Sequence, residues 1–172
     1  MESIVFNYKK KIISKNIYPD FTLKKDSIIV NTAYSAVSTG TEKNIKSVTS
    51  QNLMKIAITR PDLLKRVLSK IKNEGVFNTY KQIDARLNLS KLLGYSASGI
   101  VIKSNTKKFK INDKVVIIGD GEASHSSKNI THTSNAIKLP SKIDLQTGSL
   151  VGILCIVINA IKISKLEEND TV

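Results

Sequence analysis

Three groups of residues in this sequence have types and spacings that belong to chemistry, and each can be weighed against a plainer role. Gly119-Asp120-Gly121-Glu122-Ala123-Ser124 follows an apolar run and spells Gly-x-Gly-x-x-Ser. A dinucleotide-binding turn uses its glycines to bring backbone N–H groups against a pyrophosphate, and it then opens a helix whose N-terminus faces the anion. Here the third glycine is missing and no apolar helix-forming run follows, so the glycines read as turn formers. His125 and His132 are the only histidines, and they share one polar stretch without a Cys or an acidic triad at ligand spacing. Neither a catalytic nor a structural zinc site is expected from them. Cys155 is the only cysteine, so no internal disulfide can form. Its neighbours, Ile153-Leu154 and Ile156-Val157, mark it as a buried apolar residue rather than a nucleophile.

Charge is the other chemical feature. The 172 residues carry 27 Lys and Arg against 14 Asp and Glu, a net +13. Counted along the chain, residues 1–50 hold 8 basic and 4 acidic side chains, residues 51–92 hold 9 and 3, and residues 93–172 hold 10 and 7. The excess is therefore spread out and only mildly denser in the middle. All but Arg60, Arg66 and Arg86 of the basic residues are Lys. Bidentate recognition of guanine or phosphate favours Arg. There is no Trp and only 5% aromatic residues, which supplies stacking platforms for single strands poorly. A Lys-rich solvated surface is the expected meaning of the charge.

The elements that must hold these residues fall into three sections. Up to Glu42 the signals are those of strands: Lys11-Ile12-Ile13 and Ser27 to Tyr34 are β-branched runs, with Pro19-Asp20 as a turn between them. From about 44 to 91 the period changes to that of helices. Ile56, Leu63, Leu64, Val67, Leu68 and Ile71 recur at helical spacing, Pro61 suits a first turn and Gly75 a stop. Val76 to Leu89 predicts a second amphipathic helix with Phe77, Tyr80, Ile83 and Leu87 on one face. Strands return at Gly99 to Ile102, Lys114 to Ile118 and Asn135 to Leu139, with a tight turn at Lys110 to Lys114. Asp144 caps a last helix from about Leu145 to Ser164, apolar nearly all round and so expected to be buried. The longest apolar stretch, Leu150 to Ile161, is too short for a bilayer, which takes about 20 residues. The N-terminus has no apolar secretory segment, so a cytoplasmic protein is expected. The fold class expected is mainly β (α+β): a small barrel or sandwich with helices inserted and appended.

In their order, these segments resemble a known family. Val30 to Thr41, Gly94-Tyr95-Ser96-Ala97-Ser98-Gly99, Ile111-Asn112-Asp113-Lys114-Val115 and Asn135 to Pro140 look like the N-terminal, GroES-like half of the medium-chain alcohol dehydrogenases and quinone reductases. Gly94 to Gly99 stands where that family has Gly-His-Glu-x-x-Gly. Asn112 to Val115 stands at its Gly-Asp-x-Val, and Thr39 to Glu42 at its Cys-Gly-Thr-Asp. The helical insert before Gly94 is similar to that of a zinc-free branch of two-part oxidoreductases from polysaccharide or sugar biosynthesis. The resemblance covers about residues 25–172.

It implies a GroES-like β-barrel over residues 1–172, with a helical insertion at 44–91. A C-terminal helix at 145–164 would lead to a Rossmann cofactor domain that is absent here, in the same polypeptide or in trans. It further implies the substrate-side domain of a zinc-independent oxidoreductase, incomplete and inactive alone. NAD or NADP would be bound mainly outside this chain, and the substrate would be a small alcohol, carbonyl or sugar. Thr39, Tyr95 and Ser96 occupy the zinc-ligand positions and form no competent ligand set. Tyr95, Thr41 and Thr39 become the candidate catalytic hydroxyls, and Ser38, Ser96 and His125 the candidate substrate-binding residues. Two other readings stand beside this one: a stand-alone, non-catalytic binding module, and a basic polyanion or nucleic-acid binder.

Overall fold

The computed structural model describes residues 1–19, 22–40 and 61–165. Its strands are β1 (Glu2–Asn7), β2 (Ile12–Ile17), β3 (Ser27–Ser35), β4 (Ser90–Leu92), β5 (Ser96–Ser104), β6 (Lys114–Ile118), β7 (Lys128–His132) and β8 (Ala136–Lys138). Its helices are α1 (Pro61–Glu74), α2 (Val76–Asn88), α3 (Leu145–Gly148) and α4 (Val151–Ser164), with a single 3-10 turn at Thr133–Asn135. One sheet has five strands in the order β7-β3-β5-β6-β8, and a second has three in the order β2-β1-β4. The chain divides into two compact units. The larger comprises Met1–Ile4, Lys15–Val37 and Leu92–Val172; the smaller comprises Val5–Ser14 and Ser38–Lys91.

The larger unit is organised by the antiparallel pair β3–β5. Along it Ile28 and Val30 on one strand and Ala97 and Val101 on the next turn inward, and Phe109, Val115, Ile117, Ala123 and Ala136 complete the core. Gly99 is what lets the two strands come this close: a Cβ there would lie 2.1 Å from the carbonyl oxygen of Asn31. The turn expected at Lys110 to Lys114 is present. Asn112 adopts φ +73, a conformation open to Asn because its short polar side chain tolerates it, and Asp113 accepts from the Lys110 N–H at 2.8 Å. Asp144 caps α3 by accepting from the Thr147 N–H at 2.8 Å, as expected.

Strands β1, β4 and β7 are not visible as apolar periodicities. The inward residues of β7 are Asn129 and Thr131, polar side chains buried with their partners supplied. Asn129 donates to Thr32 Oγ1 at 3.0 Å and accepts from Ser124 Oγ at 2.7 Å, and Ser126 Oγ donates to Ser3 Oγ at 2.8 Å. This seam of small hydroxyls replaces an aliphatic layer under the segment that carries His125.

The last helix corrects two expectations. The predicted single helix from Leu145 to Ser164 is broken at Ser149-Leu150 into α3 and α4. The expected burial of α4 is not found: Leu154, Ile156, Val157, Ile158, Ile161 and Ile163 are exposed, and so is Cys155, which had been read as buried. Only Gly152 on the first turn is buried, because only that turn packs on the sheet. Beyond it no described element covers the helix.

In the smaller unit, α1 runs to Glu74 and α2 follows after Gly75, which takes φ +82 as a helix stop should. Phe6 and Tyr8 meet edge to face at 5.3 Å, and Lys9 pairs with Asp84 at 2.8 Å. The apolar face predicted for α2 is largely uncovered, with Phe77 77% and Tyr80 68% exposed. Residues 44–60 of the predicted insert lie outside the described residues.

Candidate functional site

Tyr95 and His125 are brought to one edge of the larger unit by glycine geometry. Gly94 takes φ +93, and a Cβ there would lie 2.8 Å from the backbone nitrogen of His125 and 2.9 Å from its Nδ1. The bare backbone therefore lets the histidine segment lie against the start of β5, where the His125 N–H donates to the Leu93 carbonyl at 2.7 Å. Tyr95 follows directly, its carbonyl accepting from the Gly119 N–H at 2.9 Å. Gly119 and Gly121 have φ +123 and +80, and residues 119–127 run through turns into β7 rather than opening a helix. The Gly-x-Gly pair thus forms the turn expected of it.

His125 is half-buried between the buried Ser124 and Ser126, and its Nδ1 lies 2.9 Å from Ser35 Oγ. Either Ser35 donates and the imidazole proton sits on Nε2, or Nδ1 donates and Ser35 turns outward; both arrangements fix the ring. Ser35 was not singled out by sequence, where a serine at a strand end carries no signal until its partner 90 residues away is known. Tyr95 is also half-buried, and its ring flanks the first turn of α4, where a Cβ on Gly152 would lie 3.3 Å from Tyr95 Cε2. Among the described residues none hydrogen-bonds to the Tyr95 hydroxyl.

Ser96 is placed differently. It is fully buried, its Oγ donates to the Ser149 carbonyl at 2.5 Å and accepts from the Gly152 N–H at 2.9 Å. Those two bonds tie the α3–α4 junction to β5, and Ser98 repeats the device by donating to the Leu145 carbonyl. Ser38, half-buried, and Thr39, exposed and helical, belong to the smaller unit. Thr41 lies outside the described residues.

Elsewhere on the larger unit, a concavity of about 300 Å³ is lined by Lys24, Lys25, Ser27, Glu122, Thr131 and His132. Glu122 Oε2 already accepts from Thr131 Oγ1 at 2.6 Å, from the His132 N–H at 3.0 Å and from Asn135 Nδ2 at 3.1 Å. Partial burial pushes this carboxyl up, but the three donors outweigh it and hold its pKa below the ordinary glutamate value. Among the described residues no three His, Cys, Asp or Glu side chains converge as a metal site.

Comparison with solved structures fixes the fold. Quinone oxidoreductase from Coxiella burnetii superposes over 99% of this chain and 47% of its own, with TM-score 0.61 and 17% identity. The fold is the GroES-like one. Escherichia coli quinone oxidoreductase complexed with NADPH matches over 97% of this chain and 42% of its own, with TM-score 0.62 and 16% identity. Galactitol-1-phosphate dehydrogenase from Escherichia coli matches over 99% and 47%, with TM-score 0.64 and 13% identity. The chain thus spans less than half the length of these structures. No protein-family model matches it, and no curated protein matches it by sequence. Among the described residues no helix is long and apolar enough to cross a membrane.

Proposed function

We propose that this chain is the substrate-side domain of a zinc-independent, NAD(P)-dependent oxidoreductase acting on a small alcohol, carbonyl or sugar in the cytoplasm. The observation that carries the proposal is α4, a 14-residue helix whose apolar side chains stay exposed beyond the one turn packed beside Tyr95. Such a surface calls for a second folded body against it. The solved relatives, with more than twice this length, have room for one.

The cofactor domain occupies that position in this reading, C-terminal to the chain or in trans. When bound, the nicotinamide supplies or accepts the hydride. The residues of this chain bind and orient the substrate oxygen. The Tyr95 hydroxyl, with no described partner, donates a hydrogen bond to the oxygen on which charge develops. His125, its ring fixed through Ser35, contacts the polar substituents of the substrate. Thr39, Thr41 and Ser38 are further candidate hydroxyls by the family resemblance alone. Ser96 acts as a positioning residue, holding the α4 start against β5 beside Tyr95. Zinc does not fit: Thr39, Tyr95 and Ser96 stand at the family's ligand positions, and the Ser96 oxygen is already engaged twice.

Calorimetric titration of the 172 residues with NADH and NADPH tests the reading. Neither should bind more tightly than about millimolar, and micromolar binding by the isolated chain would overturn it. In the protein completed by its cofactor domain, Tyr95→Phe should lower kcat by about 10²–10³ and leave stability unchanged. A fully active variant would remove Tyr95 from the site.

A further inference from the structure

Charge counted by structural unit looks different from charge counted along the chain. The smaller unit carries fourteen Lys and Arg against four Asp and Glu, a net +10; the larger carries thirteen against ten, a net +3. The windows of sequence hid this because the unit draws Lys9, Lys10 and Lys11 from the β1–β2 turn and the rest from residues 38–91. Two of the four acids are already answered within the unit. Asp84 pairs with Lys9 at 2.8 Å, and Glu74 lies 3.9 Å from Lys70 and accepts from Gln82 at 2.6 Å. The unit's cations outnumber its acids by ten.

The same unit exposes apolar side chains next to those cations. On α1, Leu68 is 56% exposed and stands between Lys65 and Lys72, one helical turn to either side. On α2, Phe77 lies a turn before Lys81, Tyr80 is exposed a turn after Phe77, and Val76 is exposed beside Phe77 directly after the Gly75 turn. The connection between the helices thus presents Val76 and Phe77 next to exposed Lys72, Asn73 and Glu74, with Lys on both helices.

We propose that the α1–α2 hairpin docks the protein on an anionic lipid surface. Lys and Arg near such a surface each raise binding roughly fivefold, and apolar side chains that enter the headgroup boundary add to this. Tyr suits that boundary because its amphipathic ring sits at headgroup level, and Phe because its apolar ring enters the acyl boundary. A nucleic acid would use the cations but would leave Leu68 and Val76 no role, which is why the lipid surface is the better match. The proposal does not depend on the oxidoreductase reading.

The chain has no Trp, so Phe77→Trp is a reporter without background. With vesicles that are one-third phosphatidylserine, its emission should shift to the blue. It should not shift with phosphatidylcholine vesicles or with duplex DNA. Cosedimentation of the unaltered chain should fall at least tenfold between about 50 and about 500 mM salt. Lys65→Glu with Lys72→Glu should weaken binding roughly twentyfold or more. Val76→Ser with Phe77→Ser should weaken it roughly fivefold or more at constant charge. All of these positions are exposed, and circular dichroism confirms that each variant is folded. Equal binding to neutral vesicles would overturn the proposal, as would absence of vesicle binding. Binding to DNA as tight as to anionic vesicles and indifferent to the serine pair would replace it with a general polyanion site.

Discussion

Single atoms govern the closest contacts of the larger unit. At Gly99 any side chain meets the Asn31 carbonyl at 2.1 Å, and a backbone oxygen in a sheet ladder cannot move aside. Gly99→Ala should therefore cost about 3 kcal/mol, read as a fall in Tm of roughly 6–12 °C. A change under about 1 kcal/mol would mean that β3 and β5 part more readily than their register implies. Ser96→Ala removes no volume to speak of but leaves the buried Gly152 N–H without its acceptor and the Ser149 carbonyl without its donor. Denaturant unfolding should show a loss of about 1–3 kcal/mol. Gly94, Gly99 and Gly152 show how far the site could be read in advance. The motif positions of Gly94 and Gly99 were recognisable in sequence, whereas the partners that need the missing Cβ, His125 and Asn31, are known only once the chain is folded.

Elements were legible where apolar periodicity coincided with burial. β3, β5 and β6 alternate or run apolar and are the centre of the five-stranded sheet, and α1 stops before Gly75 as the backbone preference of glycine dictates. β7 escaped notice because its inward positions are Asn129 and Thr131, satisfied by hydrogen bonds that no local pattern announces. The opposite failure occurred at α4, where apolar composition predicted burial that the described residues do not provide. Composition states what a helix needs against it, not whether the partner lies in the same chain. The consequence is measurable: Ile156→Glu with Ile163→Lys should leave the stability of the 172 residues within about 0.5 kcal/mol of the unaltered chain, because neither side chain is packed. Light scattering should show less self-association. A loss of 2 kcal/mol or more, roughly what burial of an aliphatic side chain contributes, would mean that these residues are covered in the isolated chain.

At the scale of the whole molecule the charge should set the response to pH and salt. Hydrogen bonds or cations hold the carboxyl pKa values of Asp84, Asp113, Glu122 and Asp144 below their ordinary values of 3.8 and 4.5. The leading favourable contributions come from Lys9, the Lys110 N–H, the Thr131 hydroxyl and the Thr147 N–H respectively, against an opposing rise from burial that is the largest influence only at Glu122. A depressed pKa means that the unfolded chain takes up protons first as pH falls. The stability these groups contribute is full above the ordinary values and is lost as pH drops through the lower, folded ones. Lys9 behaves in the opposite sense: its bond to Asp84 raises its pKa above 10.5, so its contribution is full below that value and is lost as pH rises through the folded one. Between roughly pH 5 and pH 10 these groups leave stability flat. Below pH 5 a second effect reinforces the first, because each protonated carboxylate adds to a molecule that is already +13, with the smaller unit alone at +10. Self-repulsion of that size is screened over about 10 Å at 0.1 M salt. Thermal unfolding should therefore shift upward when salt is raised at pH 7, and the shift should be larger at pH 4, where fewer carboxylates remain to balance the lysines. A Tm that falls with salt at both pH values would show instead that the surface ion pairs Lys9–Asp84 and Lys138–Asp113 outweigh the repulsion among the cations.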